Sequence, residues 1–256
     1  MPISVVINTY NASKHLAEVL ETVKGFDEVL VCDMESTDNT LEIAGEFGCK
    51  VVTFPKGNHK IVEPARMFAI QSAKSEWVLV VDADELVTPE LKEYLYKVAE
   101  QQNPPAGLYI KRRNRFLGKY CEDWSHDYQL RFFKRKDTEW PSTIHSVPIV
   151  KGEVKRAPVS CPLLHLADET MTEYLEKMNR YTDYEVIKKA NRNYGVLALI
   201  YRPAWRFFRA YFIRGGFMMG KRGLIDAMLA AIYQYAIVAK IMEKNLRKKQ
   251  VGIGRH

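Results

Sequence analysis

Short apolar runs recur through the first hundred residues, each closed by turn-forming polar residues and followed by a helical pattern. Ile3 to Ile7 is the first run, broken at Asn8-Thr9-Tyr10-Asn11. Ser13 then predicts a cap for a helix reaching about Val23. Val29 to Cys32 is a second strand, ending at Asp33. The polar loop Glu35-Ser36-Thr37-Asp38 leads into a helix to about Phe47. Val51 to Phe54 predicts a third strand, and a helix covers roughly Glu63 to Ala73. Val78-Leu79-Val80-Val81 is an aliphatic run of the kind buried on both faces. Thr88 with Pro89 marks a helix start, because proline suits the first helical position. Regular β-α alternation predicts a doubly wound, mostly parallel sheet. Asn103-Pro104-Pro105-Ala106-Gly107 ends that pattern. Leu108 to about Val150 reads as strands and loops. From Thr170, where Glu173 completes a capping box, the chain reads as a helical C-terminal extension to near Lys249.

Composition places the chain among folded proteins. It has 256 residues, 47% hydrophobic and 27% charged, room for one large domain with an appendage. A net charge of +7 and a pI near 9.1 favour an anionic partner. Cys32, Cys49, Cys121 and Cys161 lack metal-binding spacing, so neither zinc nor a disulfide framework is expected, and a reducing cytosol fits. The N-terminus shows no signal-peptide pattern.

The most informative chemistry sits where the fourth apolar run meets acid, at Asp82-Ala83-Asp84-Glu85. Ionised carboxylates cannot be buried unpaired, so these three must meet solvent or cations. Strand alternation predicts that Asp82 and Asp84 face one ligand and that Glu85 turns away. Ligands of open parallel sheets lie beyond the strands' carboxyl ends. Two hard oxygen donors there suit Mg²⁺ or Mn²⁺ carrying substrate phosphates. A solvated strand end followed by a helix cap is the competing account.

The motifs line up in order: Ile3-Ser4-Val5-Val6-Ile7-Asn8-Thr9-Tyr10-Asn11, Asp33-Met34-Glu35-Ser36-Thr37-Asp38-Asn39-Thr40, Ala65-Arg66, Asp82-Ala83-Asp84-Glu85. The set resembles family 2 glycosyltransferases of the GT-A fold. Asp127-Tyr128-Gln129-Leu130-Arg131-Phe132-Phe133-Lys134-Arg135, Trp140 and Ile144-His145 resemble the branch of lipopolysaccharide inner-core β-glucosyltransferases. The likeness covers about the first 165 residues. The family usually has a small residue at Glu35 and glycine at Asn39, and the branch commonly has an acid at Ser146.

The resemblance implies an inverting transfer of a hexose, glucose first, from a nucleotide-diphosphate sugar such as a UDP-sugar to a lipid-linked saccharide. It implies that Asp84 binds the metal and that Asp82 holds ribose or assists it. Thr9, Asn11 and Asp33 would meet the nucleotide, Asp33 through the uracil imide; turn chemistry is the alternative. Glu35 could meet ribose hydroxyls, whereas Ser36 to Asp38 read as a helix entry. Arg66 would pair with Asp33 or with the diphosphate, or serve as a surface ion pair. Lys56 and Lys60 flank Gly57-Asn58 and read as solvated loop charges. Asp127 is the candidate base, with Glu122 and Asp123 as runners-up; a salt bridge to Arg131 competes for it. His145 would complete the metal shell, with His165 second. Trp124 and Trp140 would line a sugar platform or pack a core. The expected division is a nucleotide-sugar half at 1–107, an acceptor half at 108–168 and the helical extension at 169–256.

In the tail, Arg202, Arg206 and Arg209 share one helix face, with Trp205, Phe208 and Phe212 on another. Basic and aromatic residues together predict a helix lying in an anionic membrane interface. The expected location is therefore cytoplasmic, peripheral at the inner face of the cytoplasmic membrane. A packed helical pair or a homo-oligomer contact is the alternative. Two other functions compete: a nucleotidyltransferase, which would need a glycine-rich basic phosphate loop after the first strand, and a non-catalytic membrane scaffold. No nucleic-acid partner is expected, because the aromatic-basic strip is helical rather than a stacking sheet.

Overall fold

The computed structural model describes residues 1–57, 63–120, 127–141, 146–166, 170–189 and 191–253. The chain forms two compact units, one of residues 1–115 and 126–167, the other of 116–125 and 168–256. In chain order the first elements are β1 (Ile3–Thr9), α1 (Leu16–Val23), β2 (Glu28–Asp33), α2 (Thr40–Glu46), β3 (Lys50–Thr53), α3 (Glu63–Ser72), β4 (Trp77–Asp82), β5 (Glu85–Val87) and α4 (Pro89–Ala99). Then come β6 (Gly107–Phe116), β7 (Lys119–Tyr120), β8 (Tyr128–Lys134), β9 (Thr138–Glu139), β10 (Ile149–Val150), β11 (Val154–Arg156) and β12 (Leu163–His165). Three long helices close the chain: α5 (Met171–Lys188), α6 (Ala198–Phe208) and α7 (Lys221–Ile253).

The main sheet runs β3-β2-β1-β4-β8-β6-β12-β5. Its first four strands are parallel, as the β-α alternation predicts, and β8 joins β4 antiparallel. Odd and even residues of the central strands feed separate apolar layers. Val5, Ile7, Val31, Leu79 and Val81 pack with Leu16, Leu20, Leu91 and Leu95. Val6, Leu30, Cys32, Val78 and Val80 pack with Ala65, Ala69 and Ile70. Trp77 stacks on Phe132 with centroids 4.6 Å apart. A side chain fully buried in such a layer contributes about 1.5–3 kcal/mol.

Local signals set most boundaries. The Thr88 hydroxyl accepts from Leu91 N, and the Thr170–Glu173 capping box forms. Ser13 is a correction. Helix α1 starts at Leu16 without a side-chain cap, because its N-cap position falls on His15; Ser13, two residues earlier, donates its N–H to Asp38 Oδ2 at 3.1 Å.

In the second unit, α6 continues as a π-helical turn (Arg209–Ile213) and a 3₁₀ turn (Gly216–Met219) before α7. The reversal needs glycine. Gly215 has φ +72°, and a Cβ on Gly223 would lie 1.8 Å from the Gly216 carbonyl oxygen. Val186 of α5 forms a small core with Ile237 and Ile241 of α7.

Candidate active site

The register brings the strand ends into one row, Thr9 opposite Asp33 and Asn8 opposite Asp82. Asp33 is fully buried. Its Oδ1 accepts from Thr9 Oγ1 at 2.9 Å and Ser36 Oγ at 2.6 Å, and its Oδ2 accepts from Ser36 N at 2.9 Å. Asn11, at φ +49°, accepts from Thr37 N at 2.8 Å, and its own N–H donates to Ser36 Oγ. These contacts tie the loops after β1 and β2 together. Asp38 accepts from Thr40 N at 3.1 Å, so Ser36 to Asp38 form the expected helix entry. Glu35 sits at φ +60°, which explains a preference for a small residue at this position; for a larger side chain that conformation costs about 1–2 kcal/mol. Its carboxylate accepts from Lys56 N at 3.2 Å, and Lys56 Nζ lies 3.8 Å from the Tyr10 ring centroid.

The acidic quartet divides in a way alternation did not predict. Strand β4 ends at Asp82, residues 83 and 84 turn, and β5 begins at Glu85. Asp82 and Asp84 are therefore not successive residues on one strand face, and they meet different partners. Arg66 Nη2 donates to Asp82 Oδ1 at 2.8 Å, and Arg131 Nη2 binds Asp82 Oδ2. Arg66 thus pairs with Asp82 rather than with Asp33. Its guanidinium stacks on Trp140 at 4.9 Å. Trp140 is buried against Phe133, the packing role rather than a sugar platform. Its indole N–H donates to Ser146 Oγ at 3.1 Å, a role for the serine where the branch commonly has an acid.

Glu85, which alternation set apart from both aspartates, instead shares Arg131 with Asp82 at the centre of an ion network. It is fully buried. Its Oε2 accepts from Asp82 N at 3.0 Å, and its Oε1 meets Arg131 at 3.2 Å and Arg112 at 3.6 Å. Arg112 Nε then donates to Asp127 Oδ2 at 3.0 Å. Arg112, not Arg131, is therefore the partner of Asp127. Arg66, Arg131 and Arg112 balance Asp82, Glu85 and Asp127, as buried charges require. Burial pushes the Asp82 carboxyl up, but Arg131 and Arg66 outweigh it and hold it below the ordinary carboxylate range. Glu85, more enclosed, is raised by burial despite Arg131 and Arg112.

Among the described residues Asp127 accepts three side-chain hydrogen bonds: from Arg112 and Asn114 on Oδ2, each at 3.0 Å, and from Gln129 on Oδ1 at 2.7 Å. Burial would raise this carboxyl; the donors from Gln129, Arg112 and Asn114 outweigh it and lower its pKa. Because Asn114 Nδ2 donates to Asp127, Asn114 Oδ1 is the atom that faces His165 Nδ1, 2.9 Å away. His165 Nδ1 must then carry a proton. In the neutral ring Nε2 is left with a lone pair, 3.2 Å from Asp84 Oδ2. Two acceptors facing each other call for a positive charge between them, either a second ring proton or a cation. Asp84 is 40% exposed at the side chain, the accessible acid of the quartet. Among the described residues no group of three or more His, Cys, Asp and Glu forms a metal cage.

His145, Glu122, Asp123, Trp124 and Lys60 lie outside the described residues. The structure brings Thr9, Asn11 and Asp33 together, and separately joins Arg66, Asp82, Asp84 and Asp127 through Arg131, Glu85, Arg112, Asn114 and His165. The sequence reading missed Arg112, Asn114 and Gln129. Their signal was two-residue spacing: Arg112 and Asn114 on β6, and Asp127, Gln129 and Arg131 leading into β8, each set on one strand face. It also missed Asn8. This residue is buried, and neither of its side-chain amide atoms has a partner among the described residues. Such an orphan costs about 1–3 kcal/mol, which packing alone does not justify.

Comparison with known proteins places this arrangement. Residues 4–151 match the family model described as Glycosyl transferase family 2. An uncharacterized glycosyltransferase of Rickettsia conorii is 29% identical over 266 residues, covering 97% of this chain and 93% of the relative. The lipopolysaccharide core biosynthesis glycosyltransferase LpsC of Rhizobium meliloti is 24% identical over 261 residues, covering 99% and 96%. The mannosyltransferase PcManGT from Pyrobaculum calidifontis, solved with GDP-Man and Mn²⁺, superposes with a TM-score of 0.57 at 15% identity, covering 94% of this chain and 86% of that one. The fold is GT-A, and the chain belongs to glycosyl transferase family 2.

Proposed function

We propose that the protein moves a hexose, with inversion, from a nucleotide-diphosphate sugar to a hydroxyl of a lipid-linked saccharide at the cytoplasmic face of the inner membrane. Glucose from a UDP-linked donor is the preferred reading, and lipopolysaccharide inner core is the acceptor class. The name of the LpsC relative supports that acceptor. The observation that carries the proposal is the Asp84–His165 pair of facing acceptors, joined through Asn114 to Asp127.

Asp84 and His165 would hold a divalent metal, Mn²⁺ or Mg²⁺, and PcManGT was solved with Mn²⁺. Donor phosphate oxygens and water would supply the remaining ligands, with His145 retained as a further candidate. When bound, the metal supplies positive charge where the leaving diphosphate develops negative charge. Asp82, fixed by Arg66 and Arg131, holds the donor's ribose side. Thr9, Asn11, Asp33 and Glu35 form the nucleotide end, where loops cross-linked before binding reduce the ordering cost. Asp127 takes the acceptor's proton through Oδ1, which among the described residues has fewer side-chain donors. Its lowered pKa keeps it ionised, so the proton moves late, as the hydroxyl bonds to the anomeric carbon. Residues 1–107 serve the donor, 108–168 the acceptor and 169–256 the membrane.

The test is a donor screen. The purified protein is incubated with Mn²⁺, a panel of nucleotide sugars and delipidated or intact core saccharides, and released nucleotide is measured. Turnover with one donor, raised by acceptor, is expected. Absence of release and of binding with every donor would contradict the proposal.

A further inference from the structure

The second unit exposes its aromatic residues. Trp205, Phe208, Phe212, Ile213, Phe217 and Met218 are each between 46% and 68% exposed, and all lie on α6 or on the reversal that follows it. The α6–α7 pair also carries an apolar groove of about 800 Å³ lined by Tyr201, Trp205, Phe208 and Met228. Soluble surfaces rarely leave an apolar patch of this extent uncovered.

Charge identifies what covers it. From Val186 to Ile225 the sequence holds no Asp or Glu and nine Lys or Arg. Arg206, Arg209, Arg214 and Lys221 make no ion pair among the described residues. A second copy of the chain would bring this cationic surface against itself. An acyl interior bordered by anionic headgroups satisfies both the apolar and the basic groups.

Depth follows from α7. Its stretch Lys221–Lys248 is long and apolar enough to cross a bilayer by length and composition. Lys240, within that stretch, donates to Asn179, Thr182 and Asp183 of the polar helix α5, at 2.6–3.0 Å. Spanning would carry that polar cluster into hydrocarbon or break it. Exposed apolar residues concentrate instead in the first half of α7, at Leu224, Ile225, Met228 and Ile232.

We infer that the α6–reversal–α7 hairpin is a one-sided wedge. Its tip presents Phe212, Ile213, Phe217 and Met218 to the acyl layer of an anionic membrane with Arg214 reaching the headgroups, α6 lies in the interface, and the second half of α7 stays on α5 outside the hydrocarbon. The inference refines the membrane part of the reading above and needs no acceptor to test. Purified full-length protein is sedimented with vesicles of phosphatidylcholine alone or with about one-third phosphatidylglycerol, alongside Phe212→Glu/Phe217→Glu. Brominated acyl chains provide a second readout on the wild type through quenching of Trp205, identified with Trp205→Phe. The expected result is anionic-vesicle binding, release by alkaline carbonate, and roughly tenfold or greater weakening in the double variant. Donor turnover by the double variant should match wild type, which separates failure of the wedge from failure of the transferase reading. Four outcomes would overturn the inference: no vesicle binding by wild type, undiminished binding by the variant, retention after carbonate, or a wild-type dimer that the variant abolishes while Trp205 goes unquenched.

Discussion

The two units treat large apolar side chains in opposite ways. Trp77 and Phe132 are fully buried and stacked on each other in the sheet unit, whereas Trp205 and Phe212 in the helical unit are each more than half exposed. The sheet unit closes its strands between two apolar layers and keeps its charges paired at one end. Among the described residues the helical unit has a small core where α5 meets α7, and it leaves many large apolar side chains of α6 and the reversal exposed. Under the proposed reading, burial in the first unit would fix the site's geometry, and exposure in the second would serve the membrane contact. The contrast can be broken by moving each property separately.

The largest expected effect is on chemistry. Asp84→Ala should lower donor turnover by roughly 10³-fold, the scale of losing a charge-stabilising group, with an unchanged melting temperature and unchanged vesicle binding. Glu85→Ala, one residue away, should act mainly on stability. Removing one partner of a buried pair costs about 3–5 kcal/mol, read as a lower denaturant midpoint. Equal stability losses in the two variants would erase the distinction between the accessible and the buried acid.

Next is packing. Phe132→Ala should cost about 3–5 kcal/mol, against less than about 0.5 kcal/mol for Phe212→Ser, by denaturant unfolding. A large loss in Phe212→Ser would mean that the hairpin tip is core rather than contact surface. Asn8→Val should raise stability by about 1 kcal/mol, because it replaces an unpaired buried amide with an apolar group of similar size, while weakening donor binding. Unchanged donor affinity by calorimetry would leave Asn8 without a function.

The smallest effect is on acid stability. The folded-state pKa of Asp127 is depressed, so its contribution is present above the unfolded value of about 3.9 and lost as pH falls through the folded value. Asp127→Asn should flatten the stability profile below about pH 4 and leave its shape near neutrality unchanged.

Much of the fold was legible because local and global signals agreed. The aliphatic run before Asp82 could satisfy itself only between two layers, and Thr88-Pro89 could hardly avoid starting a helix. The donor-side residues were legible by place, at adjacent strand ends. The pairing of charges was not. Alternation assumes a continuing strand, and the turn at residues 83 and 84 separated Asp82 from Asp84. Arg112 meets Asp127 across an antiparallel pair whose register includes a shift between Leu108 and Tyr109, which no local pattern encodes. His165 stood as the second choice to His145 because sequence distance conceals that β12 lies beside β5, with His165 opposite Glu85.

The most direct test is titration of UDP into the wild type and into His165→Ala by calorimetry, with Mn²⁺ and with EDTA. The expected result is that Mn²⁺ tightens nucleotide binding at least roughly tenfold in the wild type and has no effect in His165→Ala, which still folds. Equal tightening in both proteins, or none in the wild type, would contradict a metal-assisted transfer site built on Asp84 and His165.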